Sequence, residues 1–179
     1  MKKSGVRVAF GYALAVVVLA CARPTSRSLL LALPVAGLGE ALRIWASGHI
    51  QKTRALATGG PYAHTRHPLY LGSALLALAA GIASLSPIAI GALCAYFVAF
   101  YPTVVAEEQA FLRAKFPSEF GEWERDVPLF LPRPLPAGPR SSRFSWRLVG
   151  ANREWRTALA LPALFGVLWA RSRYFPDFP

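Results

Sequence analysis

His67, the Arg66 beside it, and the paired Glu107 and Glu108 are the residues of this chain best suited to chemistry. An imidazole can move a proton. A guanidinium and carboxylates make charge-assisted hydrogen bonds to a polar ligand. His67 stands in a polar cassette, Gly-Pro-Tyr-Ala-His-Thr-Arg-His-Pro-Leu-Tyr-Leu-Gly, running from Gly60 to Gly72. Residues 69–106 contain no Asp, Glu, Lys or Arg, and Glu107-Glu108 follow at once. That stretch is too long for one membrane span of ~20 residues and right for two. Ser84-Leu85-Ser86-Pro87 interrupts the apolar run where a turn is needed. Two spans return the chain to its starting side, so His67 and Glu107 should face each other with something polar held between them.

The elements that position these residues are read as membrane helices. The 179 residues are one domain by length. A hydrophobic content of 54% exceeds ordinary soluble usage. The net charge of +11 does not signal nucleic acid, because the basic residues flank apolar segments and form no basic helix. Cys21 and Cys94 lie in apolar runs without metal or redox spacing and read as core residues.

Val6–Ala22 is the first apolar segment. With Lys2 and Lys3 before it and Ala20-Cys21-Ala22 at its end it also resembles a signal peptide. The second segment begins after only Arg23–Ser28, so a helical hairpin explains the same residues. Leu29 to about Ile44 carries Glu40 and Arg43, three apart on one helix face, where they can pair. They point either into an interior or to the headgroup level. Segments three and four are the 69–106 hairpin. Thr157–Ala170, between Arg153/Arg156 and Arg171/Arg173, is short for a span and equally fits an interfacial helix.

Lys52, Arg54 and Arg66 precede the hairpin and none lies at its tip, which places the cassette and the glutamates in the cytoplasm. Lys2 and Lys3 agree; Arg23 and Arg27 in the short outer loop do not. Gln109–Phe116 continues the helix, Glu119–Asp126 is a charged surface stretch, and Pro128, Pro132, Pro134, Pro136 and Pro139 enforce an extended linker. The architecture is thus an all-α membrane bundle of four to five spans in a single domain. Residues 1–48 form a helical pair, 49–132 the core, and 133–179 a linker and membrane-associated helix.

Thr58, Gly60 and Tyr62, then Arg66, His67, Pro68, Tyr70 and Gly72, then Glu107 and Glu108, then Phe116, Val127, Pro128 and Pro132 form an ordered set. Over residues 56–132 this set resembles the isoprenylcysteine carboxyl methyltransferase and phospholipid methyltransferase superfamily. The resemblance implies an integral membrane methyltransferase using S-adenosyl-L-methionine, in the bacterial inner membrane with its site facing the cytoplasm. It implies membrane lipids as surroundings and an acceptor that is lipid-like or a small hydrophobic molecule. His67 and Glu107 carry the catalytic role in this reading. Leu56 on the approach strand, Tyr62, Arg66, His67, Pro68, Leu69, Tyr70, Gly72, Glu107 and Glu108 bind the cofactor. The sulfonium is itself the electrophile, so alignment and desolvation dominate. A carboxylate acceptor needs no base, whereas a thiol or amine must lose a proton to His67 or Glu107.

Duller readings exist for each residue. A histidine before a helix-starting proline is often structural, and a glutamate pair after a span is often only solvated. The joint order of the motifs argues otherwise. His64 and His67 lack further ligands at fixed spacing, His49 being the only other histidine, so no metal site is expected. Tyr96, Phe97, Phe100 and Tyr101 read as packing and interfacial residues. Two departures from the resembled pattern stand out. Thr103 and Val104 replace an arginine that holds the substrate carboxylate in the prenylcysteine enzymes, leaving Arg43, Arg66 or Arg113 as substitutes. Phe116-Pro117 replaces Phe-Gly. The rival readings are an NADPH-dependent sterol or steroid reductase-like protein, which should carry Asn at Leu69, and a non-catalytic membrane protein of the same fold handling metal or lipid.

Overall fold

The computed structural model describes residues 2–51, 55–137 and 143–174, with side chains from residue 9 onward. Lys52, Arg54, Pro139 and the side chains of Lys2 and Lys3 lie outside the described residues. The described residues form seven α-helices in order: α1 (Lys2–Cys21), α2 (Ser26–Ser47), α3 (Pro68–Ser84), α4 (Pro87–Lys115), α5 (Pro117–Asp126), α6 (Trp146–Ala151) and α7 (Trp155–Tyr174). A 3-10 turn, Gly60–Ala63, precedes α3. No strand occurs among the described residues, so the all-α expectation holds and Leu56 lies in coil rather than on a strand. Among the described residues α2 and α4 are long and apolar enough to cross a membrane; Ala9–Cys21 and α3 are shorter apolar helices.

The chain forms two compact units, each built from separated segments: 1–37, 74–104 and 159–179, and 38–73 with 105–158. In the first unit Ala22, Ala32, Ala36, Ala79 and Ala83 meet with Leu29 and Leu168 in one buried cluster. Small residues let helix backbones approach closely, which suits helices packed without help from water. The α1–α2 turn is capped on itself. Thr25 Oγ1 accepts from the Ser28 amide at 3.1 Å, and Ser28 Oγ accepts from the Thr25 amide at 3.0 Å. Arg171 donates to the carbonyls of Leu19 and Ala20, serving helix-end acceptors of α1.

The hairpin turn falls where the sequence puts it. Leu85 takes a φ of 47° just past α3. Ser86 Oγ accepts from the Ala89 amide at 3.3 Å, and Pro87 opens α4 with the fixed φ that suits a first helical position.

The second unit holds a different core, of Leu56, Tyr62, Phe120, Trp123 and Val127. Residues 117–126 are not merely a charged surface stretch. They form α5, in which Phe120 (fully buried) and Trp123 lie three apart and turn one face inward.

Candidate active site

Everything in the candidate site belongs to the second unit. Pro68 opens α3, so His67 sits at the helix entrance with its ring only 4% exposed. Its Nδ1 lies 3.9 Å from Glu108 Oε2, and the same carboxylate oxygen accepts a hydrogen bond from the Tyr70 hydroxyl at 2.7 Å. The His67 ring stacks on Tyr70 at a centroid distance of 5.4 Å and meets Phe130 at 5.7 Å. Burial, with the Arg66 guanidinium second, pushes the His67 pKa down to about 4. The imidazole is therefore neutral at physiological pH, and its approach to Glu108 is not an ion pair. His67 Nε2 is buried and has no hydrogen-bond partner among the described residues.

Glu108 thus brings a carboxylate to His67. Glu107 is exposed on α4 at the next position, about 100° further round the helix.

A cavity of about 250 Å³ opens beside this group, lined by Leu56, Tyr62, Phe111, Leu112, Phe116 and Trp123, with Arg66 and Glu108 as charged lining. Its size lies just under the ~300–1,000 Å³ usual for ligand pockets. Burial, with the Glu108 charge next, raises the Tyr62 phenol well above its ordinary pKa. Trp123 Nε1 donates to the Tyr62 carbonyl at 2.9 Å and fixes the aromatic wall. Gly60 has a φ of 58°, and a Cβ there would lie 2.4 Å from His49 Nε2, so only glycine suits this approach to the cassette. His49 and His64 each place Nδ1 2.8 Å from a backbone carbonyl, of Trp45 and Arg133 respectively.

The remaining expected residues have support roles in the geometry. Pro68 is buried as the helix-opening residue, and Leu69 packs on the Leu56–Trp123 core. Gly72 faces α2, where an added Cβ would meet Arg43 Cγ at 2.6 Å and the Gly39 carbonyl at 2.8 Å.

A model of the phospholipid methyltransferase family matches residues 6–119. The chain belongs to that family. Two bacterial relatives are each 38% identical: the cobalt-zinc-cadmium resistance protein CzcN of Cupriavidus metallidurans and the nickel-cobalt-cadmium resistance protein NccN of Alcaligenes xylosoxydans xylosoxydans. The matches cover 109 and 95 residues, which is 59% and 51% of this chain and 50% and 43% of the relatives. The chain thus spans about half the length of the curated relatives it matches. No solved structure matches the chain.

Within this phospholipid methyltransferase family member, several supporting residues carry no motif of their own. Arg66 donates to Glu124 Oε1 at 2.6 Å and to Gln109 at 2.9 Å, while Arg113 reaches the other Glu124 oxygen at 2.7 Å. These two guanidiniums hold the Glu124 carboxyl below its usual range, the Arg113 hydrogen bond acting most. Residues 127–137 strap the cassette. The Arg66 amide donates to the Pro128 carbonyl, Thr65 Oγ1 to Leu129 and Phe130, Arg133 to His64, and Ala137 to Ala63.

The Glu40–Arg43 pairing expected within α2 does not form. Arg43 Nε donates instead to Glu154 at 2.6 Å, and its terminal nitrogens reach Ser73 and Thr157. Both Glu40 oxygens are buried without a partner among the described residues, so the pair points to an interior and not to headgroups. Nothing local in the sequence could have coupled Arg43 to a residue in the α6–α7 turn.

Proposed function

We propose that this chain is an integral membrane methyltransferase that moves a methyl group from S-adenosyl-L-methionine to a lipid-like or small hydrophobic acceptor at the cytoplasmic membrane face. The observation that carries this reading is the convergence of His67, Tyr70 and Glu108 beside a cavity that is aromatic in its walls and charged at Arg66 and Glu108. When bound, S-adenosyl-L-methionine supplies a methyl group already activated on a sulfonium. The residues fit such a ligand. The Glu108 carboxylate can accept from an ammonium or from ribose hydroxyls, and Arg66 has a buried Nε donor without a partner among the described residues. Leu56, Tyr62, Phe111 and Trp123 offer the apolar and aromatic surface an adenine needs.

The protein's own work is then to orient and to exclude water. His67, neutral and with no partner for Nε2 among the described residues, is suited to hydrogen-bond and orient an acceptor at that atom, while a pKa of about 4 makes it a weak base. Arg43, Arg66 and Arg113 each already hold a glutamate of this chain. Arg66, with its Nε facing no partner among the described residues, is the one of the three that also lines the cavity, so carboxylate, amine and thiol acceptors all stay in view.

The likeness to two metal-resistance proteins favours a second reading, in which the same fold serves metal resistance without turnover. Equilibrium binding of S-adenosylhomocysteine to the purified chain separates the two. Wild type should bind, and His67→Ala and Glu108→Gln should each lose roughly 1.5–3 kcal/mol, about 10- to 150-fold in affinity. Absence of binding by folded wild-type protein overturns methyl transfer, and binding of NADPH instead would move the chain to the reductases. Methyl-labelled S-adenosyl-L-methionine with mixed membrane lipids and small thiols then reports the acceptor by mass spectrometry.

A further inference from the structure

The segment between the proline strap and α7 displays arginines without any exposed acid to balance them. Arg143, Arg147, Arg153 and Arg156 are all exposed, and Glu154 is the only carboxylate between residues 143 and 158. Glu154 does not serve that surface: it is 4% exposed and turned inward onto Arg43. Between the arginines stand Trp146, 71% exposed, and Trp155, 52% exposed. Arg156 lies over the Trp155 ring, 5.5 Å from its centroid.

This surface is held in place. The Ser145 amide donates to the Gly48 carbonyl, Asn152 Nδ2 donates to the carbonyls of Ser47, which ends α2, and of Ile50 just beyond it, and Phe144 packs against Gly48 and the His49 ring. The arginines are therefore presented on a fixed platform.

We propose that residues 143–156 form a binding surface for anionic phospholipid headgroups. Arg143, Arg147, Arg153 and Arg156 meet the phosphates, while Trp146 and Trp155 occupy the interface beside them. Tryptophan favours the headgroup level because its ring is apolar with one polar edge. Each basic residue near an anionic surface adds roughly a fivefold preference for it. Zwitterionic lipid offers no net charge to match four guanidiniums, so the surface selects by headgroup charge. The inference uses the membrane setting proposed above but not methyl transfer, and it survives if the chain proves non-catalytic.

The test uses the full chain in nanodiscs of dioleoyl phosphatidylcholine with or without dioleoyl phosphatidylglycerol, reading the lipids retained by native mass spectrometry. With phosphatidylglycerol at about 5 mol%, wild type should retain it about tenfold over its mole fraction, less so as salt rises. Changing all four arginines to glutamine should bring retention within about twofold of the mole fraction, while four lysines should keep most of the preference. Should the fourfold variant not fold, R143Q/R147Q and R153Q/R156Q are read in the same way, each losing part. Equal retention of both lipids by wild type, or an unchanged preference in the glutamine variants, overturns the proposal. Competition by millimolar inorganic phosphate would assign the surface to a soluble anion and overturn it. Displacement of the lipid by a short oligonucleotide would do the same in favour of nucleic acid.

Discussion

Arg66 and Arg113 grip opposite oxygens of one carboxylate, Glu124, at 2.6 and 2.7 Å. The residue between the two guanidiniums thereby links the cassette to α4 and α5. Glu124→Gln should strand Arg66, whose side chain is only 13% exposed, and lower thermal stability by about 1–2 kcal/mol, given that the carboxylate itself remains partly solvated. Arg113→Gln, at a side chain 60% exposed, should cost well under ~1 kcal/mol. Thermal unfolding of the two variants in one detergent gives the comparison, and an equal loss in both would contradict it.

His67 should titrate far below an ordinary histidine. Its folded pKa, about 4, is depressed from 6.5. The unfolded chain therefore binds more protons in that interval, and stability rises with pH across it. The stabilisation from neutral His67 is complete above pH 6.5 and is lost as pH falls to about 4. Nitrogen-15 imidazole spectra of selectively labelled protein should show His67 neutral at pH 6. A midpoint near 6.5 would contradict the burial that holds the ring neutral.

Gly72→Ala should force α2 and α3 apart locally, because the new methyl meets the Gly39 carbonyl at 2.8 Å and Arg43 Cγ at 2.6 Å. Overpacking of this kind costs typically 1–3 kcal/mol. Gly121→Ala, where a Cβ meets nothing within 4 Å, is the matched control and should be neutral or stabilising. Chemical denaturation midpoints of the two variants decide the matter.

Membrane orientation can be read with single cysteines in a background lacking Cys21 and Cys94. Ser86 is buried at the turn, so Leu85, half exposed, is the better probe for the hairpin tip. Leu85→Cys should react with an impermeant thiol reagent on intact cells, and Ser118→Cys only after the membrane is opened. Labelling of Ser118→Cys from outside would reverse the proposed cytoplasmic site.

The order of cassette, hairpin and carboxylates was legible because each piece is local. A charge-free run, a serine-proline break and a proline-started helix can all be read from neighbours in sequence. The approach of Glu108 to His67 was not legible, since one residue of helical phase separates Glu107 from Glu108 and packing of the whole α4 helix sets that phase. Arg43 misled for a similar reason. Its local partner Glu40 satisfies helix spacing, but Glu154, more than a hundred positions away, holds it in the structure. Phe120 and Trp123 were hidden by the acids around them, although their spacing of three already marks one buried face.

The strap has a consequence for biosynthesis. Cassette backbone from Ala63 to Arg66 finds its partners in carbonyls and amides between Pro128 and Ala137. Those partners leave the ribosome some sixty residues later, after both arms of the hairpin. During that interval the nascent cassette must rely on water, headgroups or the insertion machinery for its hydrogen bonds. Assembly of the site is therefore deferred until the hairpin has been delivered to the bilayer, and a chain arrested between Glu108 and Pro128 would carry His67 and Glu108 but leave the cassette without its closing partners.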